Sequence, residues 1–250
     1  MYNISTCKNE SLMDLLSTLE SGKRPQGGIG STLSGAISLG GENISNKGIN
    51  LNKIRFVPKD FYQKAKKGFV YKDDILICKD GALTGKVCYI DIDFPVKEVM
   101  INEHVYIIRS KPKIILQKYL FYSLNSKYIQ NQIKNLAYNK TAQPGLNRKH
   151  IEFIQIPLPP LHIQQQIVDR LEYERKMIEA QEKVKQYFAN KIQNKLKSIW
   201  QDVPQQETST NQEQQMIEAQ NEIITYFEQK IQSKLDSIWH QVETKQGELI

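Results

Sequence analysis

A stretch without glycine or proline, from Ile163 to Trp200, is the feature that most limits how this chain can fold. Its large apolar residues recur at spacings that average near 3.6, so the stretch predicts one amphipathic helix about 57 Å long. An apolar stripe of that length is too long for an ordinary globular helix and needs a partner surface. We therefore expect a subunit interface along the stripe, which consists of Ile163, Ile167, Leu171, Ile178, Val184, Phe188, Ile192, Leu196, Ile199 and Trp200.

Part of this stretch occurs twice in the chain. Segments 177–200, "MIEAQEKVKQYFANKIQNKLKSIW", and 216–239, "MIEAQNEIITYFEQKIQSKLDSIW", are identical at 15 of 24 positions. The polar segment 201–212 predicts a linker, and the second copy predicts another helix of the same type over 213–250. The second helix can pair with the first as a hairpin, or the helices of two chains can pair about a two-fold axis. We expect both arrangements, with a homodimer built on local hairpins.

The net charge of +7 is unevenly distributed along the chain. Residues 1–160 contain 23 Lys and Arg against 13 Asp and Glu, a net of +10, whereas residues 161–250 contain 11 against 14, a net of −3. This division predicts that the first part binds a polyanion such as nucleic acid and that the second part binds protein. Charge favours this interpretation over the alternative of a basic protein without a polyanionic partner.

The cysteines and the apolar runs limit the compartment. Cys7, Cys78 and Cys88 are odd in number and form no CxxC pair, which argues against a disulfide framework and against a cysteine metal site. No apolar run approaches the length of a membrane span, and the first residues do not have the pattern of a signal peptide. We therefore expect buried thiols in a cytoplasmic protein that contacts no membrane.

The first 160 residues alternate short apolar segments with glycine-rich turns. The helical spacing of apolar residues in 117–136 predicts one helix, and the prolines of "PLPPL" at 157–161 end the domain. The sequence therefore predicts an α+β domain with a small mixed sheet over 1–160, followed by a long helix over 161–200. Segments rich in β-branched and aromatic residues predict the strands of that sheet at 54–57, 74–78, 86–90, 104–109 and 153–158.

No constellation of residues indicates catalysis. The chain contains no GxGxxG, no phosphate-binding P-loop and no HExxH motif, and its four histidines lack metal-ligand spacing. The acidic pairs Asp73–Asp74 and Asp91/Asp93 are better interpreted as solvated loop carboxylates than as a metal or acid–base pair. The sequence therefore favours binding over chemistry, with no catalytic residue and no metal site.

Polar, basic loops offer a binding surface instead. The loop 78–86, "CKDGALTGK", joins two predicted strands, and its glycines let backbone amides and lysines approach phosphate. Segment 101–109 begins with polar residues, and 138–149 gathers amides and cations of the kind that contact base edges. Each loop taken alone also fits an ordinary hydrated surface. The candidate DNA-contacting residues are Arg24, Lys79, Asp80, Thr84, Lys86, Asn102, His104, Asn139, Lys140, Thr141, Gln143, Asn147 and Arg148.

Several of these segments occur in a familiar order. "LESGKRPQGG", "YKDDILICKDGALTGKV", "NEHVYII", "YLFYSLNS" and "AQPGLNRKHIEFIQIPLPPLHIQQQIVDRLE" precede the long helix. Together they resemble the target recognition domain and following spacer helix of the specificity subunits of type I restriction–modification systems. The most specific part is "IPLPPLHIQQQIV", a strand, a proline stop and a glutamine-rich helix start.

The resemblance implies a non-catalytic subunit that binds double-stranded DNA and holds two adenine-N6 methyltransferase subunits, with a motor-nuclease subunit as a further partner. It also implies that S-adenosylmethionine binds the methyltransferase and that this chain carries no cofactor. Members of the family have two recognition domains and two antiparallel, coiled-coil-like spacer helices, which set the distance between two half-sites.

This chain departs from that plan, because it has one recognition domain and two copies of the spacer sequence. The departure is consistent with a half-subunit that dimerises or with an inactive truncated product. A different possibility is a DNA-binding adaptor outside restriction, whose helices serve as an oligomerisation stalk.

Overall fold

The computed structural model describes residues 7–26, 28, 34–45, 48–91, 97–138, 145–201 and 225. The chain divides into two compact units, Met1–Leu171 and Glu172–Ile250. The first unit contains the predicted α+β domain and also the first turns of the long helix. Beyond Gln201, the predicted linker and the predicted second helix lie outside the described residues, apart from Thr225.

The secondary structure follows the chain in this order. The strands are β1 (Asn9–Ser11), β2 (Leu16–Ser21), β3 (Ala36–Leu39), β4 (Ile44–Ser45), β5 (Gly48–Ile49), β6 (Arg55–Val57), β7 (Ile75–Cys78), β8 (Val87–Tyr89), β9 (Val99–Ile101), β10 (Val105–Ser110) and β11 (Gln155–Pro157). The helices are α1 (Lys59–Lys64), α2 (Gln117–Asn125), α3 (Lys127–Tyr138), α4 (Arg148–Phe153) and α5 (Leu161–Gln201). Four of the five predicted strand segments each contain one of these strands, and β10 begins in the fifth, 104–109, and ends one residue beyond it at Ser110.

A four-stranded antiparallel sheet forms the centre of the first unit, with the strand order β2-β10-β7-β8. A three-stranded sheet of order β6-β3-β9 is mixed, since β3 pairs antiparallel with β6 and parallel with β9. Two further pairs, β1-β11 and β4-β5, are antiparallel. The predicted α+β class with small sheets is confirmed.

Both faces of the central sheet are buried at its inner strands β7 and β10, which explains the continuous apolar runs in these two strands. Successive side chains on a strand point to opposite faces. Ile75 and Ile77 of β7 therefore pack in the core between the sheet and helices α2 to α5, together with Leu120 and Ile133. On the other face, β7 contributes Leu76 and Cys78 to a second core that contains Ile37, Leu39, Val99 and Ile101 of the three-stranded sheet.

The single helix predicted over 117–136 is wrong, because the chain forms two helices with a break at Ser126. The Ser126 backbone is extended, with φ −64° and ψ 146°, and its N–H donates to the Ser123 carbonyl. Its hydroxyl accepts from the Ile129 N–H at 3.3 Å, so Ser126 ends α2 and caps the start of α3. Apolar spacing continues across this break and gave no sign of it.

The sequence also failed to predict helix α4. Asn147 caps it, since its Oδ1 accepts from the His150 N–H at 2.9 Å. Phe153, assigned from its aromatic character to a strand, is the last residue of this helix, and the strand β11 begins at Gln155.

The long helix is confirmed as α5, of 41 residues. Its first turns belong to the compact first unit. Gln164 is fully buried, and its Oε1 accepts from the Leu116 N–H at 2.9 Å. Its Nε2 donates to the carbonyls of Ile114 at 3.1 Å and Pro159 at 2.8 Å. Among the described helices, none is long and apolar enough to cross a membrane.

Candidate nucleic-acid interface

The loop 78–86 is an ordered hairpin between β7 and β8. The Cys78 N–H donates to the Lys86 carbonyl at 2.9 Å, and the Gly85 N–H donates back to the Cys78 carbonyl at 2.8 Å. Within the loop, the Thr84 hydroxyl donates to the Gly81 carbonyl at 2.6 Å. These bonds give the loop one conformation and leave the Lys86 side chain exposed.

Gly85 allows this loop to lie directly on helix α3. Its φ is +88°, and a Cβ at this position would lie 2.7 Å from Cγ2 of Ile133. Gln130 of the same helix donates from Nε2 to the Gly85 carbonyl at 3.0 Å. The core helix therefore sets the position of the loop.

The loops predicted separately from the sequence meet around Lys79 and Asp80. The Lys79 N–H donates to the His104 carbonyl at 2.9 Å, and the Lys79 carbonyl accepts from the Leu146 N–H at 2.5 Å. Asp80 forms an antiparallel β-bridge with Gly145. Segments far apart in sequence are thus joined by backbone hydrogen bonds into one surface.

Charged side chains cross the same junction. Oδ1 of Asp80 lies 2.5 Å from Nδ1 of His104, and Nε2 of His104 lies 2.8 Å from Nη2 of Arg24. Arg24 also forms an ion pair with Glu103. A neutral imidazole with its proton on Nδ1 satisfies both contacts of His104, because it donates to Asp80 and accepts from Arg24.

Gly22 places Arg24 at this junction. A Cβ on Gly22 would lie 1.8 Å from the carbonyl oxygen of Ile101, so only glycine lets the chain pass this close to the end of β9. The loop that follows β2 then brings Arg24 to Glu103 and His104.

Two further cations lie at the junction. The Nζ atom of Lys79 lies 5.3 Å from the ring centroid of Tyr106, a cation–π distance. Nη1 of Arg148 donates to the Leu19 carbonyl at 3.4 Å. Burial raises the pKa of Tyr106, while the positive charge of Arg148 opposes that rise and the negative charge of Asp80 adds to it.

Not every predicted contact residue is exposed here. Asn102 is only 6% exposed, and its Oδ1 accepts from the His104 N–H at 2.9 Å, which shapes the turn into β10. The structure therefore gives Asn102 a supporting position under His104 instead of the predicted position on the surface. Asn139, Lys140, Thr141 and Gln143 lie outside the described residues.

The sequence reasoning missed Glu103 as a member of this surface. Burial opposes its ionisation, but the hydrogen bond from Arg24 and the nearby positive charges outweigh burial and lower the pKa of Glu103. A signal was present, since Glu103 is the only acidic residue between positions 99 and 151. A lone carboxylate within a basic segment indicates a specific partner.

Other acidic and sulfur groups in the described residues have structural partners. Asp74 was interpreted as a solvated carboxylate, but it is buried and paired through both oxygens with Arg109, at 2.6 and 2.9 Å.

Burial raises the pKa of the Cys78 thiol to about 11 and that of Cys88 to about 12. Within the described ranges, no three His, Cys, Asp or Glu side chains are grouped to hold a metal ion.

The predicted subunit-interface residues divide between the two units. Ile163, Ile167 and Leu171 belong to the first unit, where Ile167 packs against its core. Ile192, Leu196 and Trp200 of the second unit are half-buried. The exposed members of the stripe are Ile178, Val184, Phe188 and Ile199.

A family model for the type I restriction modification DNA specificity domain matches residues 16–187, which include the junction of loops, the central sheet and much of α5. The chain belongs to this family. The relationship inferred from the sequence blocks is therefore confirmed.

Two curated relatives are specificity subunits. The MjaVIII specificity subunit of Methanocaldococcus jannaschii is 35% identical over 104 residues, which are 41% of this chain and 22% of that protein. The EcoBI specificity subunit of Escherichia coli is 29% identical over 130 residues, which are 52% of this chain and 26% of that protein. The matched regions thus span about a quarter of each relative.

Two solved structures share the fold. The HsdS subunit from Thermoanaerobacter tengcongensis superposes with a TM-score of 0.53 at 14% identity, covering 81% of this chain and 51% of that chain. A chain from a study of complex assembly and conformational transition of the type I R-M system gives a TM-score of 0.52 at 18% identity, covering 69% and 39%. An α+β domain followed by a long helix is the shared architecture.

Proposed function

We propose that this chain is a non-catalytic DNA-specificity subunit of a type I restriction–modification system. In this role, its first unit binds duplex DNA through the junction of the loops. The chain then positions an adenine-N6 methyltransferase and, as a further partner, the restriction motor-nuclease.

The convergence of separate loops at Lys79 carries the proposal. Backbone bonds from Lys79 join it to the segments of His104 and Leu146, and the cations Lys79, Arg24 and Arg148 lie around this junction. Such cations neutralise DNA phosphates and establish the register of a protein on the duplex. Exposed side chains beside them, such as Asn147 and Arg148, are suited to reading base edges.

In the proposed assembly, the chemistry belongs to a partner subunit. S-adenosylmethionine would bind the methyltransferase, and this chain would need no cofactor or metal ion. Support comes from the curated relatives, which are specificity subunits.

The repeated sequence supports a half-subunit that dimerises. Segments 177–200 and 216–239 are separated by only 15 residues, too few for a second recognition domain. Two chains would then supply two recognition domains for a two-fold symmetric, interrupted target. The helices of the second unit would form the pairing surface.

Methyl transfer with purified components tests the proposal. DNA and labelled S-adenosylmethionine are incubated with this chain alone, with an adenine methyltransferase encoded beside it, and with both proteins. Sequence-dependent methylation is expected only with both. Methylation by this chain alone would overturn the non-catalytic assignment. If the chain binds DNA but neither copurifies with an adenine methyltransferase nor activates one, the result would instead favour an adaptor outside restriction.

A further inference from the structure

The Arg24–Glu103 ion pair stands out because it engages one of the cations at the junction of the loops, beside Lys79 and Arg148. We propose that Glu103 is a specificity-determining residue, which holds Arg24 away from DNA phosphates and directs its guanidinium towards a base edge. This inference rests on the proposed DNA-binding function and names a residue that refines it.

The geometry of Arg24 carries the first step. Its Nε and Nη2 atoms face Oε1 of Glu103, and Nη2 also lies 2.8 Å from Nε2 of His104. A guanidinium has five N–H donors in a rigid fork. The described part of the chain offers no acceptor to Nη1, so the donors of that nitrogen remain available to a ligand.

The surroundings of Glu103 carry the second step. Burial raises the pKa of Glu103, but the hydrogen bond and the positive charge of Arg24 outweigh burial, so the pKa lies below its usual range and the carboxylate is ionised at neutral pH. Its Oε2 atom is buried and has no hydrogen-bond partner among the described residues. A carboxylate so confined holds the guanidinium in one direction more firmly than a mobile surface partner would.

His104 and Asp80 fix the other side of the pair. The imidazole accepts from Arg24 through Nε2 and faces Asp80 through Nδ1 at 2.5 Å. Arg24 is therefore held between Glu103 and His104, and the hairpin 78–86 supports His104 in turn. The guanidinium is positioned by side chains from separate segments before any ligand arrives.

The contacts of Arg24 with Glu103 and His104 weaken its binding to phosphates and favour its binding to a base edge. A phosphate attracts any accessible cation, and Glu103 weakens that attraction by neutralising Arg24 in place. A guanine edge presents two acceptors at a fixed spacing, which a positioned arginine can bind through its free donors. Glu103 would thus lower affinity for random sequence more than affinity for the target.

Anisotropy titrations of the full chain with a labelled duplex of random sequence provide the test. Glu103→Gln should bind this duplex about fivefold tighter at ~0.1 M salt, with a salt slope steeper by up to ~0.9, the value of one added phosphate contact. Glu42→Gln is the matched control. Glu42 also pairs with an arginine, Arg55, at 3.4 Å, and its side chain is 35% exposed against 32% for Glu103. The two substitutions therefore remove the same charge from carboxylates of similar exposure.

The double variant Arg24→Ala with Glu103→Gln separates the pair from a general charge effect. In the Arg24→Ala background, Glu103→Gln should change affinity no more than Glu42→Gln does. The inference is overturned if Glu103→Gln and Glu42→Gln behave alike, or if the gain persists without Arg24. Thermal unfolding establishes that each variant is folded. If Glu103→Gln is not folded, Glu103→Ala serves as a second variant.

Failure of the proposed function gives a different result. If the unmodified chain shows no salt-dependent binding to duplex DNA, the DNA-binding proposal itself is wrong. If it binds with a steep salt dependence but Glu103→Gln leaves random-duplex affinity unchanged, only the role of Glu103 is wrong.

Discussion

Oδ1 of Asp80 lies 2.5 Å from Nδ1 of His104, although 24 positions separate the two residues along the chain. The contact links the hairpin between β7 and β8 to the start of β10, while the neighbouring backbone of Lys79 binds the segment before α4. The surface that we propose binds DNA is thus assembled by the topology of the central sheet. Its members act as a connected group, so we expect substitutions within it to have non-additive effects.

Asn147 has two separable roles, one in helix α4 and one in the proposed base contact. Asn147→Ala should lower the free energy of unfolding by about 1 kcal/mol, because it removes the cap that accepts from His150. Asn147→Ser keeps a capping oxygen and should cost far less stability. Both variants lose the side-chain amide, so both should relax sequence preference by roughly 1–3 kcal/mol at one base pair.

Binding-site selection from a random duplex pool, together with chemical denaturation, measures these two effects. If Asn147→Ser keeps the DNA sequence preference and Asn147→Ala loses it, the cap alone accounts for the effect, and Asn147 has no role in base contact.

Gln164 should be the most sensitive polar residue in the first turns of α5. Gln164→Leu keeps the volume but leaves the Leu116 N–H and the carbonyls of Ile114 and Pro159 without this partner. Only the contact with Pro159 is fully buried, and the other two are partly buried. An unsatisfied buried group costs about 1–3 kcal/mol and a partly solvated one costs less, so we expect a loss of roughly 2–4 kcal/mol in unfolding free energy.

The adjacent Gln165 is a matched control for this substitution. Its side chain is exposed and donates to Asp169 one helical turn away, with no other side-chain hydrogen bond among the described residues, so Gln165→Leu should change stability by less than about 0.5 kcal/mol. Equal losses from the two variants, measured by urea denaturation, would show that the buried hydrogen bonds do not matter.

Removal of residues 213–250 tests the account of the repeated helix. If the second copy covers the first, the truncated protein should expose Ile192, Leu196 and Trp200, bind a hydrophobic dye and aggregate. Its first unit should still bind DNA. Sedimentation velocity would contradict the account by showing a soluble dimer indistinguishable from the intact protein.

The sequence predicted the parts of this fold that depend on apolar periodicity. Strands such as β7 and β10 are buried on both faces, and α5 keeps a helical spacing over its whole length, so their patterns are unambiguous. The break at Ser126 and the helix α4 depend instead on single capping side chains, which change no apolar pattern. Capping by Ser126 and Asn147 therefore determines both the break and helix α4.

The candidate surface was predictable in composition but not in arrangement. Lys79, His104 and Arg148 were recognised from polar, basic loops. The burial of Asn102 and the pairing of Arg24 with Glu103 depend on which loops meet, and that follows from the strand order β2-β10-β7-β8. No local pattern reports the order of strands in a sheet, so these two relationships required the three-dimensional structure.

The central claim is that Lys79 and Lys86 contact DNA phosphates at the junction of the loops. Each lysine is replaced by alanine in the full chain, and Lys183→Ala, an exposed position on α5 in the second unit, serves as the control. The observable is the slope of log affinity against log salt concentration for duplex DNA. Anisotropy titrations with duplexes of several sequences provide it.

The intact chain should show a steep negative slope. Lys79→Ala and Lys86→Ala should each reduce its magnitude by about 0.9 and weaken binding to all sequences alike, while Lys183→Ala leaves it unchanged. A flat salt dependence of the intact chain, or slopes for Lys79→Ala and Lys86→Ala that equal that of Lys183→Ala, would contradict the account.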